Sequence, residues 1–143
     1  MSTRLRHVAE FSYPGALFPE SVTREVDQPT LDAALAVAPT ETDGFFRKDG
    51  WYAVKITAFH EKRYVADDGA ETWVRTARPV KVRSWVVGEK IHADDIEPTD
   101  RNRILIANIR GNSTDGYGVR TRIGNWQMAS DYDEVLPASA VTR

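Results

Sequence analysis

The chain has 143 residues, 41% of them hydrophobic and 10% aromatic, with 19 Lys+Arg against 21 Asp+Glu and no cysteine. That length suits one domain with a real core. The aromatic load excludes a disordered chain, the balanced charge excludes a uniformly cationic nucleic-acid coat, and the missing cysteines exclude disulfides, thiol catalysis and cysteine-type zinc sites.

The charge is unevenly distributed. Residues 1–46 hold three basic side chains (Arg4, Arg6, Arg24) against seven acidic ones. Residues 72–83 hold Arg75, Arg78, Lys81 and Arg83 with no acid, and residues 101–126 hold five arginines and one acid, Asp115. A neutral total therefore conceals a basic second half. The longest apolar run, residues 33–38, is far short of a membrane span, and no apolar stretch behind Met1-Ser2-Thr3-Arg4 reads as a secretion signal. A cytoplasmic, one-domain protein without membrane contact is the expectation.

In chain order, Pro14, Pro19, Pro29 and Pro39 punctuate the first forty residues, so short pieces of regular structure are expected there. Residues 30–38 are alanine-rich, with Thr30 or Asp27 as the N-cap and Pro39 as the stop, which predicts a short helix presenting Leu31, Leu35 and Ala38 to a sheet. Tyr52, Val54, Ile56 and Ala58 alternate with Trp51, Lys55 and Thr57, the period of a half-buried strand. Asp67-Asp68-Gly69 lies between Tyr64-Val65-Ala66 and Thr72-Trp73-Val74 and predicts a hairpin. Pro79 makes Val80-Lys81-Val82-Arg83 an edge or a new strand, Gly88-Glu89-Lys90 is a turn signal, and residues 93–96 can form one helical turn. Residues 103–111 are ambiguous: three isoleucines favour a strand, the preferred reading, whereas Gly111 sits where a helix would place its C-terminal cap. Residues 117–123, a two-residue Gly124-Asn125 loop and residues 126–130 read as a final hairpin. The sum is an α+β fold, mostly antiparallel β-sheet with one short helix in the N-terminal third.

A two-residue loop would set Ile123 against Trp126, Arg122 against Gln127 and Thr121 against Met128. One face would then collect Val119, Thr121, Ile123, Trp126 and Met128, and the other Arg120, Arg122 and Gln127 beside Gly118. Two arginines on one face repel unless an anion joins them, and their planar forks suit phosphate oxygens. Asn108, which interrupts an apolar run, and Arg110 complete this candidate site; Asn112 and Asn125, next to glycine, read as turn residues. A second candidate surface is Arg75, Arg78, Lys81 and Arg83 with Trp73 and Trp85, since cations beside aromatics suit phosphate contact and base stacking. The same pattern also describes an edge strand kept soluble by charge. Enzyme signatures are missing: there is no phosphate loop, HExxH or GxSxG, and His7, His60 and His92 lack metal-ligand spacing. His60-Glu61 would be an acid–base pair only if strand neighbours shared a face, which they do not.

The segments Ile104-Leu105-Ile106-Ala107-Asn108-Ile109-Arg110-Gly111-Asn112 and Val119-Arg120-Thr121-Arg122-Ile123-Gly124-Asn125-Trp126-Gln127 resemble a pattern of small uncharacterised proteins from actinobacteria and their phages. Ile109 stands where that pattern carries methionine. The resemblance covers about 25 residues, under a fifth of the chain. It implies no assigned reaction; by class analogy, small phage proteins neutralise a host factor or a signalling nucleotide.

The expected function is therefore a non-enzymatic binding protein holding a phosphate-bearing ligand, a nucleotide or a nucleic-acid backbone, on the C-terminal hairpin, with no cofactor and no metal. The alternative is a protein-directed inhibitor of a host protein, or a small structural protein, acting through a patch such as the acidic front (Glu20, Glu25, Asp27, Asp32); an enzyme using His60 ranks last. The tryptophans and the edge near Pro79 add an expectation of a homodimer.

Overall fold

A computed structural model describes residues 2–12, 21–39, 53–121, 125–137 and 139. Strands β1 (Thr3–Ser12), β2 (Ser21–Val26) and β3 (Ala53–Val65) run antiparallel side by side, with Phe11 opposite both Val22 and Val54, and Ala9 opposite Ile56. β1 is longer than the prolines imply, because Pro14 and Pro19 fall between β1 and β2, outside the described residues. The same holds for Trp51 and Tyr52, so the predicted strand is seen only from Ala53.

The Asp-Asp-Gly hairpin forms as expected. β3 turns through residues 66–70 into β4 (Glu71–Arg75), with Val65 opposite Glu71 and Gly69 at φ +85, a left-handed conformation natural to glycine. The Ala66 amide donates to the Ala70 carbonyl (2.8 Å), and Asp68 Oδ1 accepts from the Ala70 amide (2.9 Å). The chain then continues down the same side of β3 as β5 (Val80–Val87). β4 and β5 are therefore two halves of one returning strand, stepped at residues 76–79 and again between Ile56 and Thr57, where the register shifts. Beyond β5, β9 (Glu134–Leu136) adds in parallel, but only along Trp85–Val87.

Helix α1 (Leu31–Ala36) is capped by Thr30, whose Oγ1 accepts from the Ala33 amide (3.2 Å). It closes one face of this large sheet over Ala9, Phe11, Val22, Val26, Val54, Ile56 and Trp85, using Leu31, Ala33, Ala34, Val37 and Ala38. Leu31 and Ala38 pack on this core as expected, whereas Leu35 is not among the packed side chains and Ala34 is the fully buried residue of the helix.

At Gly88 the chain leaves the large sheet for a small one: β6 (Glu89–His92), β7 (Tyr117–Arg120) and β8 (Trp126–Met128), in the order β6-β7-β8. Only glycine fits at this corner, because a Cβ would lie 2.6 Å from Val119 Cγ1 and 2.8 Å from the Arg120 carbonyl oxygen. Ala93–Asp95 makes the expected helical turn. Residues 103–111 are not a strand. They lie in helix α2 (Arg103–Asn112), with Gly111 inside it and Ser113 at its cap. Ile106 and Ile109, three apart, bury together with Ala93 against Ile96, Leu105, Trp126 and Met128, while Ile104 is 74% exposed. In a strand Ile104 and Ile106 would share a face; a helix separates them, so burial overrode β-propensity.

The final hairpin exists, but its register differs from the two-residue-loop expectation. Arg120 faces Trp126, Val119 faces Gln127 and Gly118 faces Met128, and Thr121 donates to the Asn125 carbonyl through both its amide (2.9 Å) and its hydroxyl (3.0 Å). The pairing is displaced by three residues, an odd number, so every side-chain face on one strand is exchanged relative to the other. The physical reason is that both faces of this hairpin are covered. α2 lies on Gly118, Trp126 and Met128, whereas Val119 and Ala129 turn toward Ala53 and Val86 of the large sheet.

The result is α+β, mostly antiparallel, with no described helix long and apolar enough to cross a membrane.

Candidate functional site

Among the described residues, the side chains expected to form a phosphate site on the terminal hairpin do not share one face. Arg120 shares a face with Trp126, and Gln127 lies on the opposite face with Val119, half-buried, its Oε1 3.5 Å from the Tyr132 hydroxyl. Arg120 is joined to Glu89 across β6 and β7, and Arg110 donates to Asp94 Oδ1 (3.0 Å). Asn108 is exposed on α2, where its carbonyl accepts from the Asn112 side chain (3.0 Å). Arg122 lies outside the described residues, as do Ile123 and Gly124. A groove of about 280 Å³ along α2 includes Arg110 and Arg103, and Arg103 is already bound to Asp100 (2.9 Å).

The second candidate surface is assembled in part. Trp73 and Arg75 stand on β4 opposite Arg63 and Glu61, so they project from the face of the large sheet away from α1. Lys81, opposite Thr57, joins that face after the step at residues 76–79, which carries the exposed Arg78. Arg83 projects to the α1 side, with its guanidinium 5.6 Å from the Trp85 ring. Trp85 itself is no ligand contact: it is 1% exposed beneath α1, and its indole N–H donates to Glu134 Oε2 (3.1 Å). Its position opposite Val54 makes it a core residue.

Beside Trp73 and Arg75 lies a cluster that sequence reasoning missed. Glu61 is buried on the face away from α1, and its Oε1 accepts from Arg4 Nε (2.7 Å) and Arg6 Nη1 (3.5 Å); Arg6 also holds Glu25 on β2. Arg4 stacks on Trp73 at 4.0 Å, while Arg6 and Arg75 approach the Phe59 ring at 5.6 and 4.9 Å. Burial pushes the Glu61 carboxyl up, but the hydrogen bond from Arg4 and the charges of Arg4 and Arg6 outweigh it, and its pKa lies below the ordinary carboxylate value. Arg4 and Arg6, at i and i+2 at the start of the chain, were the available signal; it needed β1 as a strand and Glu61 as its neighbour, 57 residues away.

This cluster consumes its own charge; the stripe does not. Among the described residues Arg75, Arg78 and Lys81 have no ion-pair partner, and Arg83 has only Glu134 at 3.7 Å. Lys81 also borders a cleft of about 300 Å³ between the large sheet and Asp131-Tyr132, where Lys55, Glu10 and Asp131 balance the local charge. Burial, with the nearby Asp131 charge, raises the Tyr132 phenol above its ordinary pKa, so it stays a neutral hydroxyl at this cleft.

His60 and Glu61 face opposite sides of β3, His60 opposite Leu5 and Glu61 opposite Arg4. His92 is occupied as a cap, its Nδ1 accepting from the Asp94 amide (3.1 Å). Among the described residues no group of three or more His, Asp or Glu is placed to hold a metal ion. The acidic front is dispersed: Glu25 is bound to Arg6, Asp27 follows β2, Asp32 is in the first turn of α1, and Glu20 lies outside the described residues. Comparison with protein-family models, curated proteins and solved structures finds no match.

Proposed function

We propose that the protein is a non-enzymatic binding module for a phosphate-bearing ligand, and that it holds this ligand on the returning strand of the long hairpin, not on the C-terminal hairpin. One observation carries the reading: among the described residues Arg120 of the terminal hairpin and Arg103 and Arg110 of α2 are matched by carboxylates, whereas Arg75, Arg78 and Lys81 are unmatched. Their position argues against strand addition as the binding mode. Pro79 lacks an amide hydrogen, the register shift distorts the ladder, and Asp133 Oδ2 already takes the Ser84 amide (2.7 Å). Such features blunt an edge toward backbone pairing and leave its side chains as the contact groups.

The test is calorimetric titration with nucleotides and short oligonucleotides, on the parent and on a triple Arg75→Ala, Arg78→Ala, Lys81→Ala variant. Charge-assisted contacts contribute about 1.5–3 kcal/mol each, and 1.4 kcal/mol is tenfold in affinity, so the triple variant should lose at least tenfold. A parent that binds none of these ligands, or a triple variant that binds like the parent, removes the reading.

One observation favours a second reading, a protein-directed inhibitor of a host factor. On the α1 side of the same hairpin, beyond the helix, Leu5, Tyr64, Val74 and Val80 are all exposed, Val80 to 65%. Uncovered apolar side chains on one sheet face suit a protein surface. Unchanged binding of a protein partner by a Val74→Ser, Val80→Ser variant would dismiss it.

A further inference from the structure

The spacing of the stripe defines the ligand further, on the premise that the anion-binding reading above holds. We infer that the ligand is a single-stranded phosphodiester chain several nucleotides long and not a mononucleotide. β3 serves as the ruler. Arg75 stands opposite Glu61 and Arg83 opposite Ile56, and five residue steps of strand at about 3.3 Å each make a stripe about 17 Å long. Arg75, Lys81 and Arg83 are paired along β3, and Arg78 lies in the step at residues 76–79 between them.

The cations cannot gather on one phosphate. The Arg75 guanidinium is held against Phe59 on the face away from α1, and the Arg83 guanidinium against Trp85 on the α1 face. Arg78 and Lys81 lie between them along the strand. β9 covers β5 only along Trp85–Val87, so the edge between the two faces is open at these residues, and a ligand that meets cations on both sides of it must carry several negative charges. Successive phosphates of an extended single strand lie farther apart than the duplex rise of about 3.4 Å, so a stripe of about 17 Å spans several phosphates and exceeds what one mononucleotide carries.

The Arg75 end supplies the preference for unpaired bases. The Arg4 guanidinium lies over the Trp73 ring, 4.0 Å from its centroid, with the Arg4 side chain 40% exposed, so a cation and an aromatic ring stand together beside Arg75. Unstacked bases pack on guanidinium planes as they do on aromatic rings, and bases inside a duplex are not available for it.

The experiment is fluorescence anisotropy and calorimetry on the full chain with four probes: adenosine monophosphate, adenosine triphosphate, a ten-nucleotide single strand, and a duplex of the same length. The single strand should bind and the nucleotides should not. With four phosphates neutralised, the single-strand rule predicts a slope near −3 in log affinity against log salt, about fiftyfold between 50 and 200 mM. Arg75→Ala should reduce that slope by about 0.7, with circular dichroism confirming that the variant is folded. If the nucleotides bind as tightly as the single strand, the length inference falls while the anion reading stands. If the duplex binds as tightly, the single-strand preference falls. If no probe binds, both readings fall.

Discussion

Replacing Gly118 with alanine tests the strand register on which the placement of the site depends. In the two-residue-loop register Gly118 would lie beside Arg120 and Gln127 on an open polar face, where an added methyl group is harmless. In the structure it lies under α2: a Cβ there would be 2.7 Å from Ile109 Cδ1, 2.9 Å from Trp126 Cε3 and 3.2 Å from Ile109 Cγ1. Ile109 is fully buried, so its side chain and the Trp126 ring must repack within the core to make room. Overpacking of this kind costs about 1–3 kcal/mol, which at about 2–4 °C per kcal/mol lowers Tm by about 2–12 °C. Ile109→Val removes the atom in closest conflict and alone costs about 0.5–1.5 kcal/mol. The double variant should therefore be less destabilised than the sum of the two single variants. Urea midpoints of the four proteins close this cycle. A Gly118→Ala change below about 0.3 kcal/mol, or strict additivity, would refute the packing of α2 on this hairpin.

Three further outcomes are expected. Gly111→Ala, in α2 with nothing within 4 Å of the new Cβ, should stabilise the protein by about 0.5–1 kcal/mol; a loss of stability in thermal melts contradicts this. Glu61→Gln should be less stable than the parent near neutral pH. Because the folded-state pKa of Glu61 lies below its unfolded value, its ionic contribution is present above the ordinary carboxylate range and fades as pH falls through the depressed value. Urea midpoints at pH 7, 5 and 3 should therefore converge on acidification, and a gap that widens is the contrary result. Arg120→Ala should change stability by less than about 1 kcal/mol, since its pair with Glu89 is more than half exposed. It should also leave oligonucleotide binding intact; a tenfold loss would return the site to the terminal hairpin.

Local rules carried much of the fold. The Asp-Asp-Gly turn, the Thr30 cap, the turn at Ala93–Asp95 and the alternation of Val54 and Ile56 each depend on a few neighbouring residues, and each formed as read. The order of the basic residues along the returning strand was legible for the same reason, whereas the register steps that turn Arg83 to the α1 face were not. Placement that depended on distant partners was not legible. Whether residues 103–112 became helix or strand rested on Ala93, Trp126 and Met128 offering a seat for Ile106 and Ile109. The faces of the terminal hairpin depended on coverage by α2 on one side and by Ala53 and Val86 on the other, and alternation cannot report a second covered face. Trp85 sits near the basic residues in sequence but under α1 in space. Arg4, Arg6 and Glu61 became one cluster only when β1 paired with β3. By itself the sequence determined the turns, the caps and the linear run of charge, because these are properties of adjacent residues. Tertiary structure alone decided which cations remained unpaired, because a salt bridge needs a carboxylate within a few ångströms and the chain brings most of its carboxylates from elsewhere.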